Sequence, residues 1–208
     1  LAGGYDQSAR IHEEQPALRR AREDGKRILL YLPTYRTGES SKTRALAAAL
    51  DPDRYLLVAK EHPVSLASTH KAESGEIPVL ESCDRPGCEI MRLDEFSAET
   101  LLCIADAVVT DYSSLAFSAG LVGIPVYYWV YDIEGYRCRP GLNIDPERVC
   151  ADCTAREAGD LAALLERPYD RDAQQRFLDE HIETRDGRCT ERLATLLFAC
   201  LDGEGGAQ

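Results

Sequence analysis

Two hydrophobic patterns alternate along the chain, and each predicts a different kind of element. Five mainly apolar segments predict buried strands: KRILLYLP (26–33), RYLLVAKEHP (54–63, closed by His62-Pro63), EIMRL (89–93), AVVTD (107–111) and IPVYYWV (124–130). Apolar residues at helical spacing and strong helix formers predict helices near 13–25, 43–50, 97–107, 113–122, 155–166, 171–182 and 188–201. Alternating buried strands and helices predict an α/β fold with a doubly wound, Rossmann-like parallel sheet and flanking helices.

The remaining segments carry weaker patterns. A short strand is predicted near residues 77–81, and residues 131–153 are predicted to be irregular. A length of 208 residues favours one main domain, predicted at 27–201. Residues 1–26 are predicted to be a linker with a lead-in helix, and residues 202–208 a disordered tail. Because the first residue is not methionine, we expect a piece of a longer protein.

Charge and hydropathy restrict the partners. The formal net charge is -12, so nucleic acid and anionic membranes would have to approach against the mean field. No apolar run approaches the roughly 20 residues that cross a bilayer. An anionic ligand would therefore need local cations on this chain.

Eight cysteines raise the question of a metal site. Four of them could together form a four-thiolate zinc site: Cys83, Cys88, Cys150 and Cys153. The first pair lacks the spacing of a zinc knuckle and the two pairs lie far apart, which favours reduced thiols. No carboxylate cluster has metal-ligand spacing, so we expect no bound metal and no cofactor. Zinc binding by the four cysteines stays an open alternative.

Ligands of doubly wound sheets bind outside the carboxyl ends of the strands. Four segments follow predicted strands there: PTYR (33–36), KEHP (60–63), TDYSS (110–114) and VYDIEGYR (130–137). All four segments are rich in polar or aromatic residues, whereas a loop that only joins a strand to the next helix needs no more than turn residues. Their convergence on one edge of the sheet predicts a ligand site.

Among the four segments, TDYSS is the strongest candidate for a phosphate-binding site. Ser113 and Ser114 stand where a helix is predicted to begin, so their hydroxyls and the unpaired N–H groups of the first turn would form a phosphate cradle. The alternative is ordinary helix capping, with Asp111 as the N-cap. Two serines within three residues of that aspartate exceed what capping requires, which favours the cradle.

The other segments offer charged partners. Lys60 and His62 point to the same face of one strand and could neutralise a diphosphate or protonate a departing phosphate. Alternatively, His62 simply helps to end the strand. Arg36 is either a phosphate fork or a surface arginine. Asp132 and Glu134 either accept ribose hydroxyls or cap and solvate their loop.

These residues also carry a resemblance to a known family. Four segments resemble landmarks of the CDP-glycerol glycerophosphotransferase family of teichoic acid polymerases and primases, and they occur in the same order as in that family. These segments are LLYLPTYR, VAKEHP, IADAVVTDYSSLAFSAGLVGIPVYYWVYDIEGYR and DGRCTERL. The resemblance spans about residues 27–200. It implies one half of a two-domain GT-B architecture, namely the C-terminal, donor-binding domain.

The resemblance also implies roles for individual residues. Ser113 and Ser114, within the motif that begins at Thr110 and Asp111, would hold the donor phosphates, and His62 would contact them or assist the departure of CMP. Contacts to the nucleotide, ribose or alditol would come from Asp132, Glu134 and Arg137. The family commonly has Phe-Asp after the serines, where this chain has Phe117-Ser118. The sequence therefore does not decide whether the donor carries glycerol or ribitol, whether the protein is a primase or a polymerase, or which acceptor it uses.

The implied reaction is the transfer of glycerol phosphate, or another alditol phosphate, from CDP-glycerol to an acceptor hydroxyl with release of CMP. The implied acceptor is a lipid-linked polyol phosphate held by an N-terminal domain, and the implied location is peripheral, on the cytoplasmic side of the bacterial cell membrane. By itself this piece is expected to be soluble, to bind nucleotide and not to turn over. The alternative is a GT-B glycosyltransferase that uses a nucleotide sugar. A dinucleotide oxidoreductase is disfavoured because no Gly-x-Gly-x-x-Gly follows any predicted strand.

Overall fold

The five predicted apolar runs all form strands in the computed structural model, which describes residues 2–36, 42–60, 80–82 and 86–203. The strands are β1 (Arg27–Leu32), β2 (Tyr55–Ala59), β3 (Leu80–Ser82), β4 (Glu89–Arg92), β5 (Ala107–Thr110), β6 (Val126–Trp129) and β7 (Thr154–Ala155). The helices are α1 (Ala2–Glu14), α2 (Pro16–Glu23), α3 (Thr43–Ala49), α4 (Ala98–Leu102), α5 (Leu115–Leu121), α6 (Ile133–Cys138), α7 (Pro146–Val149), α8 (Ala158–Leu165), α9 (Arg171–His181) and α10 (Cys189–Gly203). A 3-10 helix covers Ala151–Cys153.

Over the described residues, the strands form one sheet in the order β3-β4-β2-β1-β5-β6-β7. All neighbouring pairs are parallel except β3 with β4, which is antiparallel. The central strand β1 pairs with β2 through Leu30 and Val58, and with β5 through Leu30 and Val108. The chain builds outward from β1 towards β4 and then crosses to β5 on the other side. The predicted α/β fold with a doubly wound sheet is therefore confirmed.

Helices cover both faces of the sheet, as the double-sided burial of β1 requires. Ile28 and Leu30 point to one face, where they share a core with residues of α1, α2, α4 and α5. Leu29 and Tyr31 point to the other face, where the core includes residues of α3 and α8. All four side chains are at most 1% exposed. Each such burial contributes roughly 1.5–3 kcal/mol relative to an exposed side chain, so the sheet is a rigid platform for what its loops carry.

Two predictions about the termini need correction. The segment predicted as linker and lead-in helix forms α1 and α2, and it belongs to the core because Ile11 and Leu18 are fully buried beside Ile28. Helix α10 reaches Gly203, so the predicted disordered tail at 202–208 begins too early. Residues 204–208 lie outside the described residues. The domain boundaries themselves stay predictions.

The prediction that residues 131–153 are irregular is wrong. This segment contains α6, α7 and the 3-10 helix, which are too short to leave a periodic pattern. The sequence signal for α7 is a capping residue followed by a proline, and not a periodic pattern. The side chain of Asp145 caps α7 by accepting a hydrogen bond from the Glu147 amide at 3.1 Å, and Pro146 occupies the first helical position. The two-residue strand β7 was also missed.

We expect an Ile11→Val substitution to lower the free energy of unfolding by about 0.5–1.5 kcal/mol, because one methylene leaves a fully buried site. Urea unfolding at neutral pH measures this change. The control is Val122→Ala, at a side chain that is 50% exposed, where we expect a change within about 0.5 kcal/mol. Equal effects at the two positions would show that α1 does not share the core.

Candidate functional site

The strand order places a crevice between β1 and β5. The sheet grows in opposite directions from these two strands, and ligands of doubly wound sheets bind at such switch points. Leu32 at the end of β1 lies beside Thr110 at the end of β5. The segments that follow, 33–36 and 111–114, therefore leave the sheet side by side, as the sequence predicts.

Asp111 lies in the floor of this crevice and is 1% exposed. Its carboxylate accepts hydrogen bonds from the Thr34 amide at 3.0 Å, the Thr34 hydroxyl, the Tyr112 amide at 2.6 Å and Nη1 of Arg36 at 2.7 Å. It does not cap the next helix, because α5 begins only at Leu115 with Ser114 as its N-cap. Asp111 joins the two segments at the switch point.

Arg36 is the partner of two carboxylates. Its Nε and Nη2 bind the two oxygens of Asp132 at 2.6 and 3.0 Å, and its Nη1 binds Asp111 and the Thr34 carbonyl, the latter at 2.8 Å. The side chain is 9% exposed and lies 4.8 Å from the ring centre of Tyr131. Burial alone would lower the pKa of Arg36, but these carboxylates raise it far above its usual value. Arg36 thus acts as a clamp on protein groups, and its burial rules out the alternative of a surface arginine.

Asp132 in turn orients an aromatic pair. It accepts a hydrogen bond from the Tyr112 hydroxyl at 2.9 Å, and the Tyr112 ring stacks on Tyr136 with 3.9 Å between ring centres. Burial alone would raise the pKa of Asp132, but the bonds from Arg36 and Tyr112 lower it. Burial and the nearby Asp132 raise the pKa of Tyr112, so its hydroxyl stays a donor. The clamp therefore fixes the residue that precedes the two serines.

A pocket of about 340 Å³ opens above this network. Ser113 is partly buried in its lining, and its Oγ accepts a hydrogen bond from the Leu115 amide at 3.3 Å. Ser114 is exposed, and its side chain makes no capping hydrogen bond. The pocket is lined by Asp111, Tyr112, Ser113, Ser114, Ala116, Phe117, Tyr128, Tyr136, Pro140, Gly141, Leu142, Asn143, Ile144, Pro146 and Phe177. Ser113 thus contributes a capping hydrogen bond, while the side chain of Ser114 is exposed and makes no capping hydrogen bond.

The wall of the pocket at residues 140–146 was not predicted from the sequence. It is fixed by Arg137, which binds Asp145 through Nε at 3.0 Å and through Nη2 at 2.8 Å, and Glu147 at 2.8 Å. Glu134 accepts hydrogen bonds from Arg137 at 3.1 Å and from Arg156 at 2.8 Å. Arg137 and Glu134 therefore hold the wall and lie outside the pocket lining. Two sequence signals could have predicted this wall: Arg139-Pro140-Gly141, which favours a turn, and Asp145-Pro146, which favours the start of a helix.

The predicted phosphate-binding cations do not line this pocket. Nζ of Lys60 donates to the Asp94 carbonyl at 3.0 Å, and Arg36 is held by its two carboxylates. The Thr110 hydroxyl is fully buried and donates to the Leu32 carbonyl at 2.8 Å. No lysine or arginine occurs among the described lining residues. His62 lies outside the described residues, so its predicted role stays a prediction.

The zinc alternative gains no support where it can be examined. Among the residues that the structure describes, no group of three or more His, Cys, Asp or Glu side chains could hold a metal ion. Cys83 lies outside those residues, so the predicted four-cysteine set stays untested. Within the same ranges, no helix combines the length and hydropathy that crossing a bilayer requires.

We expect Glu147 to titrate with a midpoint near 2. The hydrogen bond from Arg156 is the largest cause, Arg137 adds to it, and partial burial opposes them, so that the pKa falls from 4.5 to about 2. Because the folded-state pKa is the lower one, this stabilisation is complete above about pH 4.5 and is lost as the pH falls through 2. Carbon-detected NMR of the side-chain carboxyl measures the midpoint.

Two variants test the cause of that shift. Arg156→Ala is expected to move the midpoint of Glu147 up towards 4.5. Arg148→Ala, whose side chain is 84% exposed and pairs only weakly with Asp145 at 3.8 Å, is the matched control and should leave the midpoint unchanged. A wild-type midpoint near 4.5 would refute the network.

Comparison with known proteins assigns the chain to a family. Residues 6–199 match the family model described as CDP-Glycerol:Poly(glycerophosphate) glycerophosphotransferase. The chain belongs to this family. The resemblance predicted from TDYSS and the other strand-end segments is thereby confirmed.

Several known proteins are similar to this glycerophosphotransferase family chain. The teichoic acid glycerol-phosphate primase of Bacillus subtilis (strain 168) is 25% identical over 177 residues, which cover 83% of this chain and 43% of that protein. The teichoic acid ribitol-phosphate primase of Bacillus spizizenii is 25% identical over 201 residues, covering 92% of this chain and 47% of the relative. The solved wall teichoic acid polymerase TagF superposes with a TM-score of 0.59 at 19% identity, covering 97% of this chain and 51% of that one. This chain thus spans about half the length of these proteins, and the superposition shows a shared fold.

Proposed function

We propose that this chain is the donor-binding domain of a CDP-glycerol, or related CDP-alditol, glycerophosphotransferase of teichoic acid synthesis. Membership of the family supports the reaction class. The observation that carries the proposal for this chain is the pocket at the switch point, which Ser113 and Ser114 line. The side chain of Ser114 is exposed and makes no capping hydrogen bond. The volume of about 340 Å³ lies at the lower end of the range of small-molecule sites.

In the proposed reaction, an acceptor hydroxyl attacks the phosphorus that carries the alditol, the bond from that phosphorus to the bridging oxygen of the pyrophosphate breaks, and CMP departs, which contains the other phosphate. Such a transfer depends on positioning and charge stabilisation more than on covalent help from the protein. The two serine hydroxyls would donate to the pyrophosphate, while Tyr112 and Tyr136 would form a rigid side of the pocket. His62 stays the predicted group that contacts the phosphates or assists the departure of CMP. The described lining carries no cation, so Lys60 and Arg36 are no longer proposed as phosphate ligands.

The partners of the whole protein are also proposals. The relatives named above are primases and a polymerase of teichoic acids, which supports a polyol-phosphate acceptor. We place the acceptor and the base for its hydroxyl in a further domain, on the N-terminal side as the resemblance implies. Contact with the cytoplasmic surface of the cell membrane would then belong to the full-length protein.

Calorimetric titration tests the donor class. The chain is titrated in parallel with CDP-glycerol, CDP-ribitol, CMP and UDP-glucose. We expect the CDP-alditols to bind more tightly than CMP, because CMP lacks the pyrophosphate, and more tightly than UDP-glucose, which has the pyrophosphate but a different base and a sugar in place of the alditol. Preference for UDP-glucose would favour a glycosyltransferase that uses a nucleotide sugar and would overturn the proposal.

A further inference from the structure

A second, larger cavity lies beside the candidate pocket. Its volume is about 830 Å³, and it opens where β6 continues past the two-residue strand β7. Two cysteines line it, Cys150 and Cys153, and neither belongs to the machinery described above. Both thiols are free and partly buried. A small molecule that enters the cavity therefore meets two thiols from one turn of the chain.

The backbone holds the two cysteines within reach of each other. The amide of Cys153 donates to the Cys150 carbonyl at 3.0 Å, which closes a four-residue turn. Such turns bring the first and last Cα atoms within about 7 Å, and disulfides span about 4.4–6.8 Å between Cα atoms. The Cys153 thiol points back along the turn, since it donates to the Cys150 carbonyl at 3.3 Å. The spacing Cys-x-x-Cys is also that of thiol pairs that undergo disulfide exchange.

The two thiols are chemically unequal. Interaction with the neighbouring Cys153 side chain, helped by Tyr128 and opposed by burial, lowers the pKa of the Cys150 thiol below its usual value. The same interaction between the two side chains, together with burial, raises the pKa of the Cys153 thiol. In thiol–disulfide exchange the group with the lower pKa attacks first, because the thiolate is the nucleophile.

We propose that Cys150 and Cys153 form a redox-active dithiol, a modification site at which a low-molecular-weight disulfide oxidises the pair to an intramolecular disulfide. The Cys150 thiolate attacks one sulfur of the small disulfide, forms a mixed disulfide and releases one small thiol. The Cys153 sulfur, after losing its proton to solvent, attacks Sγ of Cys150 and releases the second small thiol. The pair loses two electrons and two protons, and the small disulfide is reduced to two thiols.

The dithiol adjoins the candidate donor pocket. Cys150 is the C-cap of α7, and its amide donates to the Pro146 carbonyl at 2.8 Å. Both Pro146 and Tyr128 line the smaller pocket, and Tyr128 lines both cavities. Closing the disulfide is expected to shift this shared wall and change the affinity for CDP-glycerol by at least about threefold. This consequence rests on the proposed function, whereas disulfide formation does not.

Oxidised glutathione is a suitable probe, and peptide mapping is the measurement. The purified chain is equilibrated in glutathione buffers of increasing oxidised fraction, quenched with acid, alkylated and digested with trypsin. Cleavage after Arg148 and Arg156 releases VCADCTAR (149–156), which contains both cysteines and no others. We expect this peptide to lose both alkylation sites and two hydrogen atoms together. A peptide that stays doubly alkylated, or carries only mixed disulfides with glutathione, would overturn the proposal.

Three variants assign the roles, and circular dichroism checks that each is folded. Cys153→Ser should trap Cys150 as a stable mixed disulfide with glutathione, and Cys150→Ser should leave Cys153 mainly alkylated. Cys138→Ser, at an exposed cysteine on α6, is the matched control and should leave the disulfide unchanged. Zinc retained by the pair in the purified protein would also overturn the proposal. If the disulfide forms but CDP-glycerol fails to bind in either redox state, the donor proposal fails and the dithiol stands.

Discussion

An Arg36→Ala variant is expected to lose about 3–5 kcal/mol of unfolding free energy, the cost of leaving a buried charge without its partner. The side chain of Arg36 is 9% exposed and that of Asp111 is 1% exposed. Removing the guanidinium would strand Asp111 and release Asp132, which Arg36 binds through two hydrogen bonds. Urea unfolding measures the loss of stability.

The matched control is an arginine whose ion pair is open to solvent. Arg54 pairs with Glu166, and its side chain is 55% exposed. Because exposed pairs contribute about 0–1 kcal/mol, Arg54→Ala should cost no more than that. Similar losses in the two variants would contradict the assignment of Arg36 as a buried clamp.

The second large effect is expected on binding. A Ser113→Ala, Ser114→Ala double variant should weaken CDP-glycerol binding at least about tenfold, because a hydrogen bond to a charged group contributes about 1.5–3 kcal/mol and 1.4 kcal/mol is tenfold in affinity. Its fold should persist. The Ser113 hydroxyl makes one bond of 3.3 Å to the Leu115 amide, and losing such a cap costs about 1 kcal/mol. Calorimetry gives the affinity.

Ser118→Ala is the control for this pair. Ser118 lies on α5 with the same side chain, but it does not line the pocket. Its substitution should leave the affinity for CDP-glycerol unchanged. An equal loss of affinity at Ser118 would mean that the helix as a whole, and not the two hydroxyls, determines binding.

The sheet and the edge that carries the site could be predicted because they depend on local pattern. The apolar run at 27–32 and the one at 107–110 are hydrophobic on both faces, and in a chain where strands alternate with helices this pattern is typical of a parallel sheet covered on both faces. Once strands and helices alternate, neighbouring strands are parallel, and their carboxyl ends therefore lie at one edge of the sheet. The segments 33–36 and 110–114 were therefore predicted to meet, and they do.

The roles of individual charged residues could not be predicted in the same way. Whether Arg36 binds a ligand or a carboxylate depends on Asp111 and Asp132, which lie 75 and 96 residues away in sequence. No local pattern encodes such a pairing. Arg137 similarly holds the wall at Asp145 through a loop whose path the hydrophobic pattern does not determine.

The central claim is that the pocket at the switch point holds the donor pyrophosphate, and a crystal structure of this chain with CDP-glycerol tests it most directly. The account predicts pyrophosphate oxygens within about 3 Å of the hydroxyls of Ser113 and Ser114, and the stacked Tyr112 and Tyr136 beside the ligand. CDP-glycerol bound in the larger cavity beside Cys150, or elsewhere on the chain with both hydroxyls left to solvent, would contradict it.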